Sequence, residues 1–415
     1  MPEDSNKKLS LSHIFTVSRK ALFHPVAATL LSAVFLSALG TTIAFTFMEI
    51  FMVLHGLSYL VVGAISSLSY FVALLTRIPM TAVTEKAPLK SSITLGLCLY
   101  FVAPICISLD PVLPVFVLAN LLLGLGSSLF VPATMALIAV TFSDKDLKTS
   151  VITTYMSFIS LGALFGPIIG GALFIYSVSS LNLAFIMSGT ISGFAAIAVT
   201  IGLSSGKKAE ASPKPVSKEP LPAGYWRSIL NVIVYYSAYS FVLSTSAFIV
   251  IFAYFKLSYA IVILGALISV LMALDAVVQY LCGPLFLRFP KIDFGRIFMI
   301  VSAASFVPLI LLSRGYTLVL LFVLAYGIFF LGRNVGSSFA SKNFMLSLPS
   351  TRPAYVSSIV GSVGLCAGGV GLLLSGFLYT LSPIYVWIVF MLCAAAIGIA
   401  LPSTRIQPAS NASVP

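Results

Sequence analysis

Long apolar runs alternate with short polar gaps from one end of this chain to the other. Each run approaches or exceeds the roughly 20 residues that cross a bilayer as an α-helix. The first six are Val26–Met52, Tyr59–Met80, Ile93–Ser108, Leu113–Val140, Val151–Tyr176 and Leu183–Leu203. The second six are Ile229–Phe252, Ala260–Leu285, Ile297–Leu312, Leu318–Phe339, Ala354–Leu381 and Ile384–Leu401, the runs near Ile93 and Ile297 being short. Between the sets lies a polar stretch containing KKAEASPKPVSKEP, which has too few apolar residues to bury a core and reads as a flexible linker. The pattern predicts an all-α membrane protein of twelve transmembrane helices in two pseudo-symmetric six-helix bundles. The expected organisation is a tail (1–25), a bundle (26–203), a linker (204–227), a second bundle (228–402) and a second tail (403–415).

Composition supports a lipid environment. Of 415 residues, 59% are hydrophobic and 8% charged, whereas soluble domains carry about 25% charged residues. The net charge of +12 does not mark a nucleic-acid binder, because the basic residues do not form a stripe among polar ones. They sit in the gaps between runs and report topology. With the N-terminus inside, Lys256 and Arg314 fall in outer loops and Arg333 in a span, while the remaining lysines and arginines are read as cytoplasmic. Both termini are therefore expected in the cytoplasm, with the chain multi-pass in the plasma membrane. The basic N-terminal stretch before the first run resembles a signal peptide, but the run is too long and lacks a clean cleavage pattern, so it reads as an uncleaved first helix. Five cysteines, all inside apolar runs, show neither metal spacing nor a disulfide framework.

The fifth run contains Gly162–Gly171, GALFGPIIGG. Gly162, Gly166 and Gly170 share a helix face that lets another backbone approach closely, as in helix association in lipid. Pro167 removes a backbone donor and is expected to bend the helix. The halves also look repeated. FVLA occurs at Phe116–Ala119 and again at Phe322–Ala325; at the same separation Gly126 matches Gly332, and near it Gly166 and Gly171 match Gly371 and Gly376. Six plus six helices as parallel repeats is a known transporter layout, with the site between the halves near mid-membrane.

With these features the chain resembles the major facilitator superfamily from about residue 20 to about residue 402. GALFGPIIGG fits that family's fifth-helix motif, common among its drug and proton antiporters. The loop after the eighth run, GPLFLRF with Gly283 and Arg288, fits the family's loop between helices eight and nine, although Leu287 stands where the family carries an acid. In the first half Glu85 and Lys86 replace the usual Asp-Arg, and Asn120 occupies the fourth-helix arginine position, which weighs against proton coupling by that route. The resemblance implies two halves rocking around a central cavity lined by helices one, four, seven and ten, with the glycine faces as sliding contacts and Glu85, Lys86, Gly283 and Arg288 in gating loops.

An ionisable group within the membrane costs about 2.5–3.5 kcal/mol by insertion scales, so each needs a reason. Asp275 lies roughly 20 Å and Arg333 roughly 14 Å from the inner face by helical rise. They are expected to neutralise each other across helices eight and ten or to share a cavity, either as a permanent ion pair or as a proton switch. Glu49, near the outer end of helix one, reads either as an interfacial carboxylate reaching water, the preferred reading because it is shallow, or as a proton carrier. The resemblance makes Thr41, Thr42, Asn120, Tyr235, Tyr236, Tyr239, Gln279, Tyr326 and Asn334 substrate-facing candidates. No nucleophile, phosphate-loop or metal-ligand motif is present, so no enzyme, cofactor or metal is expected. The expected function is proton-coupled export of a small organic or amphiphilic compound by a monomer in the lipid bilayer. The alternatives are uptake or facilitated diffusion of a small metabolite, anionic or neutral, and a transport-inactive sensor or scaffold.

Overall fold

The computed structural model describes residues 22–86, 88–142, 145–176, 181–203, 225–288, 294–315, 318–347 and 353–400. Fourteen helices make up the described chain. The first half contains α1 (Pro25–Phe45), α2 (Met48–Leu54), α3 (Tyr59–Lys86), α4 (Leu89–Leu109), α5 (Leu113–Thr141), α6 (Lys145–Tyr176) and α7 (Leu181–Gly202). The second contains α8 (Tyr225–Leu243), α9 (Ser246–Phe255), α10 (Ile261–Arg288), α11 (Phe294–Ser313), α12 (Val319–Ser347), α13 (Pro353–Leu381) and α14 (Pro383–Ala400). The pairs α1–α2 and α8–α9 each form one span, giving eleven stretches long and apolar enough to cross a membrane, with the shorter apolar Val319–Gly332 in α12. The twelve predicted crossings are thus present. Of the expected linker (204–227), residues 204–224 lie outside the described residues, and 225–227 instead begin α8.

Two expectations change. The runs near Ile93 and Ile297 are full-length helices of 21 and 20 residues. Hydropathy cut them short because their first turns are polar. In α11 the first-turn Arg296 donates from Nε to the Gly398 carbonyl (3.1 Å) and from Nη2 to the Ile399 carbonyl (2.8 Å). A cation is thereby used to satisfy the unpaired carbonyls at the end of α14. Spans one and seven, expected to be continuous, are broken instead.

The breaks have a common local cause. At the end of α1, Thr41, Thr42 and the following Thr46 donate their hydroxyls back to the carbonyls of Ser37 (2.9 Å), Ala38 (2.7 Å) and Thr42 (2.7 Å). Before the second break, Ser244 and Thr245 donate to Phe241 (2.6 Å) and Val242 (2.8 Å). Such back-bonding competes with the helical ladder and bends it. At both places the backbone tightens to bonds three residues apart, Phe47 N–H to Ala44 and Ser244 N–H to Phe241, each 3.3 Å.

Between apolar helices lipid supplies no hydrophobic drive, so close packing must hold them together. The face of Gly162, Gly166 and Gly170 meets α1 at Phe35, Thr42 and Ile43. This is a contact within the first half, and not the expected sliding surface between halves. Gly371 likewise meets Phe241 of α8 and Ser244 in the break that follows it. Of the glycines named in the sequence, Gly171 and Gly376 do face the other half, Gly171 against Ile261 of α10 and Gly376 against Tyr59 and Gly63 of α3. Helix α6 continues through Pro167, whose carbonyl abuts Gly265 of α10. The halves therefore meet along two seams, α6–α10 and α3–α13. Exposed Leu75, Ile201, Leu320 and Ile399 form part of the lipid-facing surface.

The termini face of the bundle carries the start of α1 beside the end of α7, where Thr29 meets Gly202. It also carries the pair Thr81–Ser358, a hydrogen bond across the α3–α13 seam. Toward the opposite, far face, one hydrophobic cluster joins both halves, including Phe51 of α2, Phe252 of α9 and Trp387 of α14. Toward the termini face the clusters are separate: one contains Leu30, Phe130 and Tyr155 of the first half, another Ile229 and Val356 of the second.

Candidate functional site

A cavity of about 500 Å³ lies between the halves. The first break contributes Thr41, Phe45, Met48 and Glu49 to its wall; the second contributes Ser244, Ser246 and Ala247. Helix α3 adds Ser66, Ser69 and Tyr70, α4 adds Tyr100, and α5 adds Asn120, Leu123 and Ser127. Leu365 and Leu372 of α13 close the second-half side. Interrupted helices in corresponding places of two repeats are the usual builders of a transporter site, because irregular backbone is tolerated where it lines a cavity.

The wall is aromatic and aliphatic with scattered hydroxyls, the make-up of a pocket that holds an organic molecule and fixes its orientation with a few polar groups. Glu49 is its carboxylate among the described residues. It is half-buried in the first turn of α2 and accepts a long hydrogen bond from Ser66 Oγ (3.4 Å). The preferred reading of an interfacial carboxylate is corrected here, since Glu49 faces the space between the halves. The reason is the break after Phe45, which turns α2 inward and could not be read from depth alone.

The other sequence candidates divide. Thr41 and Asn120 line the cavity, Asn120 donating to the Phe116 carbonyl (2.9 Å). Thr42 packs instead on Gly166. Tyr235 is buried and donates to the Gly295 carbonyl of α11 (2.6 Å). Tyr239 lies against Gly336, Tyr236 against Gly364, and Tyr326 beside the rings of Phe322 and Phe330. These four tyrosines are packing groups of the second half and are absent from the cavity wall. The side chains of Gln279, Arg333, Asn334, Glu85, Lys86 and Arg288, and the surroundings of Gly283, lie outside the described residues.

Asp275 is 1% exposed and lies on the α6–α10 seam. Ser160 of α6 donates to its carboxylate, and Ser157 donates to the Ala276 carbonyl (2.9 Å). Two hydrogen bonds thus cross between halves, with Asp275 in one of them. The expected pairing with Arg333 falls outside the described residues.

Arg77 escaped the sequence reading, which counted it among cytoplasmic cations. It is buried in α3, and its guanidinium abuts the backbone of Gly361 in α13. The signal was present: Arg77 lies inside the second apolar run, three residues before its end at Met80. Helix α3 continues to Lys86, which places Arg77 well within the bundle. Among the described residues no group of three or more His, Cys, Asp or Glu is placed to hold a metal.

The fold has close counterparts among solved structures. A POT family transporter in complex with a thioalcohol conjugated peptide superposes with a TM-score of 0.73 at 14% identity, covering 90% of this chain and 94% of that one. The human organic anion transporter MFSD10 (TETRAN) gives 0.68 at 13% identity, covering 90% and 99%. Among curated proteins, the methyl viologen resistance protein SmvA of Salmonella typhimurium is 30% identical over 96 residues, 23% of this chain and 19% of that protein. The methylenomycin A resistance protein of Streptomyces coelicolor is 26% identical over 78 residues, 19% of this chain and 16% of that protein. These matches span less than a fifth of the curated relatives' length. The family model for the Major Facilitator Superfamily, in contrast, matches residues 30–351, most of the chain and all but its last two spans, so the chain belongs to that superfamily of membrane transporters.

Proposed function

We propose that the chain is a secondary active exporter of a small organic or amphiphilic compound. It works by alternating access, with Glu49 exchanging the proton that drives it. The observation that carries this reading is the placement of Glu49 on the cavity wall, beside a helix break and within reach of Ser66. A carboxylate that is solvated from one face and then from the other can load and release a proton, provided that the halves rock around it. The export direction draws support from the relatives named for resistance to methyl viologen and methylenomycin A. Asn120 sits on the same wall and is uncharged, which leaves Glu49 to supply the protonatable group.

The test is growth of a susceptible bacterium expressing the chain on a panel of toxic organic compounds that includes methyl viologen. Flux into inverted vesicles with an imposed pH gradient follows for any compound tolerated. Glu49→Gln is expected to abolish gradient-driven flux while ligand binding to the purified protein survives. Undiminished gradient-driven flux in Glu49→Gln removes the proton role.

A further inference from the structure

A buried guanidinium must be paired, hydrated or held for a ligand, because an uncompensated charge out of water is costly. Arg77 is 7% exposed, and its Nε is buried without a hydrogen-bond partner. No carboxylate among the described residues pairs with it. Its surroundings are shaped for the planar group. A Cβ on Gly361 would stand 2.6 Å from Arg77 Cζ, so the guanidinium in this position lies directly on the α13 backbone, and a larger residue there would push it aside. Tyr236 of α8 stands against Gly364, three residues along α13 from Gly361. Leu365, one turn along α13 from Gly361, lines the cavity, so the arginine lies just beyond the wall. The Thr81–Ser358 bond lies one helical turn beyond, toward the termini face.

We propose that Arg77 is the anion-recognition group of this transporter and that the transported compound carries a single carboxylate-like negative charge. The inference rests on the reading of the cavity as the transport site and adds the chemical class of its occupant. A guanidinium offers a fork of donors that matches a carboxylate. One such group, with no lysine on the described wall, suits a monoanion better than a polyphosphate. Length also decides something. Ser66, which touches Glu49, and Arg77 are both on α3, and the helical rise between them is about 16 Å. The two charges are therefore too far apart for one small zwitterion to bridge. The anionic group engages Arg77, the apolar body lies along Tyr100, Tyr70 and Leu372, and Glu49 remains free for its proton.

The experiment compares octanoate with octyltrimethylammonium, probes of the same chain length and opposite charge, by calorimetry on the purified full chain in nanodiscs. Octanoate is expected to bind the wild type at least about thirtyfold more tightly than it binds Arg77→Met. Arg77→Met without ligand is expected to melt at a higher temperature than the wild type, because a buried unpaired charge is replaced by an apolar side chain of similar reach. A structural ion pair would give the opposite shift. Equal binding of octanoate by Arg77→Met and wild type, a preference for the cation, or no binding of octanoate to the wild type each overturns the proposal. If Arg77→Met fails to fold, Arg77→Lys serves, with weaker octanoate binding expected and unchanged affinity overturning it. Because binding is read without flux, failure here leaves the proton role of Glu49 to its own test.

Discussion

Single side chains in this chain take their meaning from the direction in which the helix turns them. Tyr235 and Glu49 show this from opposite sides. Tyr235 looks like a cavity residue by its position in the seventh span, yet its hydroxyl ends on the Gly295 carbonyl. Tyr235→Phe should therefore destabilise the protein by about 1 kcal/mol with no change in ligand affinity, as read by thermal melting and by titration. A tenfold loss of affinity at unchanged stability would return it to the site. Glu49 looks like a shallow carboxylate, yet it lines the cavity. Rotational phase was not legible in either case, because spans that are apolar on nearly every side give no polar face from which to read it. Arg77 was missed for a related reason. Cations near a span end usually report topology, and only the course of α3 to Lys86 separates this one from a flanking charge.

At the scale of elements, length and hydropathy made the twelve crossings legible, and the glycine spacing of the fifth span revealed a close helix contact. The sequence did not reveal which helix meets that face. The partner is α1, with Gly166 held against Thr42. Gly166→Val should force the two backbones apart and cost about 1–3 kcal/mol or more, seen as a lower melting temperature. An unchanged melt would mean that the α1–α6 contact is loose. Neither helix break was legible, since no glycine or proline marks it. The cause is a cluster of threonines and serines, whose back-bonding is common in apolar helices and breaks them only where tertiary packing accepts the bend. The FVLA repeat falls at the same place in two helices, starting at the fourth residue of α5 and of α12, and Phe116, Ala119, Phe322 and Ala325 are all fully buried.

At the scale of the whole molecule, the two seams and the cavity between them define what must move. The far ends share one apolar cluster, while the termini-side cores are separate and are bridged by Thr81–Ser358, Ser160–Asp275 and Ser157–Ala276. Hydrogen bonds across a seam are easier to exchange for water than an interlocked aromatic cluster is to pull apart, so the proposed alternating access predicts that the termini face opens first from this conformation. The most direct measurement uses a chain with its native cysteines replaced, a reporter cysteine at cavity residue Ser69, and the pair Thr81→Cys and Ser358→Cys. An impermeant maleimide is applied from each face of a reconstituted membrane, with the pair reduced or oxidised. Alternating access predicts labelling of Ser69→Cys from both faces when the pair is reduced, and loss of labelling from the termini face alone when it is cross-linked. Labelling from a single face under all conditions, or labelling from the termini face that survives the cross-link, would contradict it.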